Sequence, residues 1–137
     1  MYDYTQAKMN DDAIRAISSI GLAHLGDAVY ELLVRTLLAE RGVATALQLH
    51  RETVARVKAP AQAKAAAVIL RHLTEAEHDV YRRGRNSHVN TVPHGSTPGQ
   101  YHAATAVEAV FGWLWLRGEH ERARELFGYI TEDYDAA

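Results

Sequence analysis

Cysteine is absent from this chain, which removes disulfides, thiolate zinc sites and cysteine nucleophiles together and is compatible with a reducing compartment. Aromatic residues are sparse at 8% and prolines number three. The Val, Ile and Thr alternation of half-buried strands is also missing, and alanine-rich apolar runs stand in its place, so the predicted fold class is all-α. No stretch approaches the ~20 apolar residues that span a bilayer, and Met1 to Asp12 is polar and acidic without a charged-then-apolar signal pattern. The expectation is a soluble cytoplasmic protein with no membrane partner. The net charge of −2 gives no overall field for a polyanion, so any nucleic-acid reading must rest on local asymmetry.

That asymmetry is present. Residues 51 to 88 carry eight Lys or Arg against four Asp or Glu, whereas the tail from Gly118 holds six acids against Arg122 and Arg124. The length of 137 residues fits one domain, 1–137, with a radius of gyration of roughly 14 Å and with residues 1–12 loosely ordered. Ser18 or Ser19 can cap a long helix from about Ile20 to Arg41 that stops at Gly42, and Thr45 opens a second through about Lys58 with Leu47, Leu49 or His50, Val54 and Val57 inward. Pro60 suits the first turn of a third helix, Ala61 to His72, with Ala59 separating it from the second. Thr74-Glu75-Ala76-Glu77 is a capping box for a fourth helix ending at Gly84. Asn86 to Gln100, with Pro93, Pro98, Gly95 and Gly99, reads as a long surface loop. A fifth helix, Tyr101 to Arg117, has Thr105 and Glu108 as its only polar residues between Ala103 and Leu116, which marks a central core helix or a subunit seam. An amphipathic last helix runs from Glu119 to about Asp133.

Two acids stand out within these helices. Asp27 and Glu108 each lie in an apolar stretch that offers no cation on the same face, and a carboxylate is rarely buried unless an arginine, a metal ion or a wet cleft accommodates it. The Asp27 face also carries Ile20, Ala23, His24, Tyr30, Glu31 and Val34. Gly112, one turn beyond Glu108, removes a side chain and admits a close backbone or ligand. Helical geometry does not say whether the two acids meet. The structural alternative pairs Glu108 with Arg35 or Arg71 in the core.

Leu25-Gly26-Asp27-Ala28-Val29, preceded by Ala23-His24, resembles the Glu-x-Leu-Gly-Asp-[Ser/Ala] signature of the ribonuclease III endonuclease domain, and Thr105 to Gly112 resembles its second motif, Asp-x-x-Glu-Ala-x-x-Gly. With Gly21-Leu22-Ala23, Gln62-Ala63 and Arg83-Gly84-Arg85-Asn86, the resemblance covers nearly the whole chain and looks like Mini-ribonuclease III, the short branch without a double-stranded-RNA-binding domain. Nothing after Asp135 has room for that module. The chain departs from the larger family at Ile20, Ala23 and Thr105, where acids are replaced, so that only Asp27 and Glu108 carry over.

The resemblance implies a homodimeric helical bundle that hydrolyses phosphodiesters in double-stranded or structured RNA, leaving 5′-phosphate and 3′-hydroxyl ends. It further implies maturation of the large-subunit (23S) ribosomal RNA precursor as the task, with a ribosomal protein as a conceivable docking aid. Mg2+ is the expected cofactor, with Asp27 and Glu108 as catalytic residues and metal ligands, since this ion is usually held by one or two carboxylates plus substrate oxygens. His24 and Glu31 are candidate supporting partners. Candidate RNA-binding residues are Lys58, Gln62 and Lys64 around one helix start, and Arg82, Arg83, Arg85, Asn86 and His88 at the entry to the long loop, because duplex RNA is held by donors that follow its phosphates and 2′-hydroxyls. Basic residues around Gly84 are equally suited to satisfying the carbonyls of a helix end. Two other function classes fit the sequence: a catalytically silent duplex-RNA-binding dimer, suggested by the acids missing at Ala23 and Thr105, and a helical assembly protein, suggested by the apolar Ala103 to Leu116 stretch. No pair of the eight histidines has the four-residue spacing of a helical zinc site, and His94 to Gly99 reads as a flexible turn.

Overall fold

The computed structural model describes residues 1–87 and 94–137. All of its regular elements are helical: a 3-10 turn at Tyr4–Gln6, then α1 (Asp11–Arg15), α2 (Ser19–Glu40), α3 (Ala46–Val57), α4 (Ala59–Leu70), α5 (Glu75–Arg85), α6 (Pro98–Leu116) and α7 (His120–Ala136). The starts of these helices follow local chemistry. Ser18, Thr45, Thr74 and Thr97 each accept a hydrogen bond from the backbone of the first turn, and Thr74/Glu77 and Thr97/Gln100 form reciprocal capping boxes.

Helix α6 is the axis of the bundle. Residues Ala104 to Val107 and Ala109 to Gly112 are buried, and α2, α4, α5 and α7 all pack against it. Tyr30 of α2 meets Phe111 of α6 and Phe127 of α7 edge-on, with centroids 5.2 and 5.6 Å apart, and Leu22, Val34, Leu38, Ile69, Leu114 and Leu126 complete the core. Burying each such side chain contributes roughly 1.5–3 kcal/mol, which is what holds an almost wholly apolar helix inside. Trp113 lies under the Arg117 guanidinium, 4.5 Å from its ring, and Trp115 stacks on His120 at 3.9 Å, so both find partners within the chain. The start of the chain is tied to the end of α6: the Met9 amide donates to the Leu116 carbonyl at 2.7 Å, Arg117 pairs with Asp11, and Ile14 is buried.

Three boundaries and one helix face differ from the sequence reading. Helix α5 runs through Gly84 to Arg85, because Gly84 is a packing position and not a stop: a Cβ there would sit 3.0 Å from the Ala109 Cβ and 3.1 Å from the Ala106 Cα. The break between α3 and α4 falls on Lys58, extended at ψ 152°, one residue before the expected Ala59. Helix α6 starts at Pro98, so the last part of the expected loop is helical, nucleated by its own capping box. On α3, Leu47 and Val54 are 61% and 42% exposed instead of inward, and Thr53 is the buried residue.

Candidate active site

The two acids are brought together where α2 crosses α6, and the crossing depends on a pair of glycines. A Cβ on Gly26 would lie 1.6 Å from the Glu108 carbonyl oxygen, and one on Gly112 would lie 2.1 Å from the Leu22 carbonyl oxygen. Only glycine at both positions lets the two backbones touch. The room expected beside Gly112 is therefore filled by backbone of α2, and the glycine serves the acids by setting how close their helices come.

Asp27, the residue after Gly26, is exposed; Glu108 is half-buried between helices and lies within hydrogen-bonding reach of the Asp27 carboxyl. Burial, then the hydrogen bond and charge of Asp27, push the Glu108 carboxyl up to about 8, with a hydrogen bond from Gln62 opposing the rise. No arginine offsets this. Arg35 is engaged by Glu31 of its own helix at 2.5 Å, and no ion pair joins Arg71 to Glu108 among the described residues. Glu31 is thus occupied by Arg35, and His24 is exposed on α2.

Glu108 lines a cleft of about 480 Å³ together with Val57, Lys58, Gln62, His94, Ser96 and Tyr101 among others. Gln62 of α4 is 2% exposed, and its Nε2 donates to the Val57 carbonyl at 2.8 Å. It lies beside Glu108, turned away from the solvent. Lys58 lines both this cleft and a neighbouring groove, where Lys64 and Tyr134 also lie. On α5, Arg82 and Arg83 pair with Asp79 at 2.5 and 3.2 Å, while Arg85 and Asn86 are exposed at the helix end. His88 falls outside the described residues.

The residues present suit a small divalent cation. Two carboxyls meet without a lysine or arginine paired to either among the described residues, Glu108 retains its proton at neutral pH first through burial and then through the Asp27 carboxyl beside it, and Gln62, which lines the same cleft, has a buried Oε1 with no hydrogen-bond partner among the described residues. Thr105, at the position of a further acid in the wider family motif, is buried and donates its hydroxyl to the Tyr101 carbonyl at 3.0 Å, so it adds no ligand. Among the described residues no group of three or more His, Asp or Glu side chains forms a larger ion site. The His94-Gly95-Ser96 rim of the cleft was missed in the sequence, although Thr97-Pro98-Gly99-Gln100, a capping box with proline in the first turn, already placed it at the mouth of α6.

Comparison with known proteins agrees with this arrangement. The family profile of the ribonuclease III domain matches residues 21–119, a span that contains both acids and Gln62. The Mini-ribonuclease 3 of a Thermoanaerobacter species is 41% identical over 118 residues, which is 86% of this chain and 83% of that protein. The Mini-ribonuclease 3 of Gloeobacter violaceus is 49% identical over 110 residues, 79% of this chain and 78% of that protein. The crystal structure of protein FN1578 from Fusobacterium nucleatum superposes with a TM-score of 0.78 at 30% identity, covering 84% of this chain and 93% of the other.

Proposed function

The chain belongs to the ribonuclease III domain family, among the Mini-ribonuclease 3 proteins, and on that premise we propose that it is a Mg2+-dependent endoribonuclease of double-stranded or structured RNA. The observation that carries the proposal is the meeting of Asp27 and Glu108 with no ion pair to either among the described residues. Such a pair is costly to fold around, and a divalent ion relieves that cost. When bound, the ion neutralises charge on the scissile phosphate and acidifies a water molecule.

The chain's own residues have separate tasks in this reading. Asp27, the exposed member of the pair, is the principal ligand and the group nearer solvent. Glu108 is the co-ligand and must release its proton as the ion arrives, so occupancy rises with pH. Lys58 and Lys64, with Arg85 and Asn86, supply donors for phosphates flanking the cut; Arg82, Arg83 and His88 complete the proposed RNA contacts. Hydrolysis breaks the bond between phosphorus and the 3′ oxygen, water supplying the hydroxyl that remains on the 5′-phosphate and the proton that completes the 3′-hydroxyl.

A homodimer is proposed as the working state. Ile20 and Leu32 on α2 and Leu47 and Val54 on α3 are 42–61% exposed on helices that pack together, more apolar surface than one chain covers by itself. The proposed setting is the cytoplasm and the proposed task maturation of the 23S ribosomal RNA precursor, with a ribosomal protein assisting docking. No described helix is long and apolar enough to cross a membrane.

A silent duplex-binding dimer is the alternative, favoured by the engaged Thr105 hydroxyl. Incubating the purified chain with duplex RNA and Mg2+ decides between them. Cleavage that falls by at least ~10²–10³-fold in Asp27→Asn, as expected when a charge that stabilises the transition state is removed, supports the nuclease. Retained affinity with no cutting by the wild type supports the binder.

A further inference from the structure

Gln62 has the lowest exposure of the buried polar residues, 2%, against 3–5% for Thr53, Glu77 and Thr105. Its Nε2 donates to the Val57 carbonyl at 2.8 Å, and the amide lines the same cleft as Glu108, whose charged form it favours. Its Oε1 is buried and accepts nothing among the described residues. Because Nε2 is held on Val57, the amide cannot turn over without losing that bond, and a buried carbonyl oxygen without a donor is an unfavourable state that a ligand can relieve.

The surroundings limit what the donor can be. The Gln62 amide favours the charged form of Glu108, in which that carboxylate has no hydrogen to donate, and the Thr105 hydroxyl is directed at Tyr101. The carboxylates give an ion two protein ligands, and Mg2+ keeps several of its waters in such sites. We propose that Gln62 is a positioning residue of the ion site: Nε2 holds Glu108 in place, and Oε1 accepts a hydrogen bond from the water shell of the divalent cation that Asp27 and Glu108 hold. This rests on the endonuclease reading and replaces direct RNA contact as the task of Gln62. Neutral amide support from α4 then does part of the orienting work for which the wider family motif has a further acid, at the position of Thr105.

Calorimetric titration of the full chain with Mn2+ tests the assignment, alongside thermal melting and duplex-RNA binding in chelator. Gln62→Met keeps the shape and loses both hydrogen bonds; it is expected to weaken Mn2+ binding about 10-fold or more, the range for groups that orient metal ligands, with RNA affinity in chelator unchanged. Gln62→Glu keeps an acceptor oxygen and adds charge, and is expected to bind Mn2+ at least as tightly as the wild type. Gln62→Asn, which withdraws the amide by one carbon, gives the same reading as the methionine variant should that variant not fold. Unchanged Mn2+ affinity in a folded Gln62→Met protein overturns the proposal, as does a loss confined to RNA binding. A wild type that binds Mn2+ but never cuts duplex RNA removes the nuclease reading and leaves the Gln62 assignment standing.

Discussion

The bundle holds two glutamates, Glu77 buried and Glu108 half-buried, in opposite ways. Glu77 on α5 is 3% exposed and fully accommodated: Arg122 of α7 donates to it through Nε and an NH2 group at 2.9 Å each, and the Thr74 amide donates at 2.9 Å. Burial pushes its carboxyl up, but the Arg122 and Thr74 hydrogen bonds outweigh that and hold it below the ordinary value. The same arginine also caps the His72 carbonyl at 2.6 Å, so the node joins α5 and α7 to the turn after α4. Glu108 has a second carboxylate where Glu77 has a guanidinium. One acid fastens helices, whereas the other sits at a helix crossing in a state that a cation would improve. A buried acid with its own arginine is structural; one facing another acid points to a ligand.

The sharpest way to break this contrast is the pH dependence of metal-free stability. Glu108 sits at about 8 in the folded chain against an ordinary 4.5, so the folded protein keeps a proton that the unfolded chain sheds. Its contribution to stability is therefore complete below about 4.5 and is lost as pH rises to about 8, by on the order of 5 kcal/mol at most. Denaturant melts in chelator should show this decline, and Glu108→Gln should remove it, leaving the variant more stable than the wild type at pH 8. Glu77 has the reverse sign, since a lowered group contributes above its unfolded value and fails as pH falls.

Next in size is Arg122→Met, which leaves the Glu77 charge buried without its partner. A loss of about 3–5 kcal/mol is expected in the same melts, with Mg2+-dependent cleavage per folded molecule unchanged. A loss under about 1 kcal/mol would mean that the two glutamates differ less than their surroundings suggest. The smallest effect concerns the start of the helix that carries Glu108. Thr97→Ala removes the cap of α6 and should cost about 1 kcal/mol, with little change in ion affinity, because Glu108 lies nearly three turns farther along.

How legible these regions were in the sequence follows the range of the forces involved. Helix starts were readable wherever a serine or threonine caps locally, as at Ser18, Thr45 and Thr74; Thr97 was equally readable and was overlooked because the prolines and glycines around it suggested an unbroken loop. Gly84 misled for a related reason: glycine ends helices and also lets them touch, and only the position of α6 decides which. Both acids were identifiable as unpartnered in their own helices, but their meeting depends on the Gly26 and Gly112 crossing, a contact between residues more than eighty positions apart. The sequence groups Gln62 with Lys58 and Lys64 at one helix start, but a helix turns 100° per residue, and that rotation leaves the two lysines exposed while it carries Gln62 inward.

The most direct test of the central contrast is a carbon-detected NMR titration of the glutamate carboxyls, without and with Mg2+. Glu108 is expected to titrate near pH 8 in chelator and to move to acidic pH when Mg2+ is added, while Glu77 stays acidic and indifferent to the ion. A Glu108 signal that titrates near 4.5 in chelator and ignores Mg2+ would contradict the account.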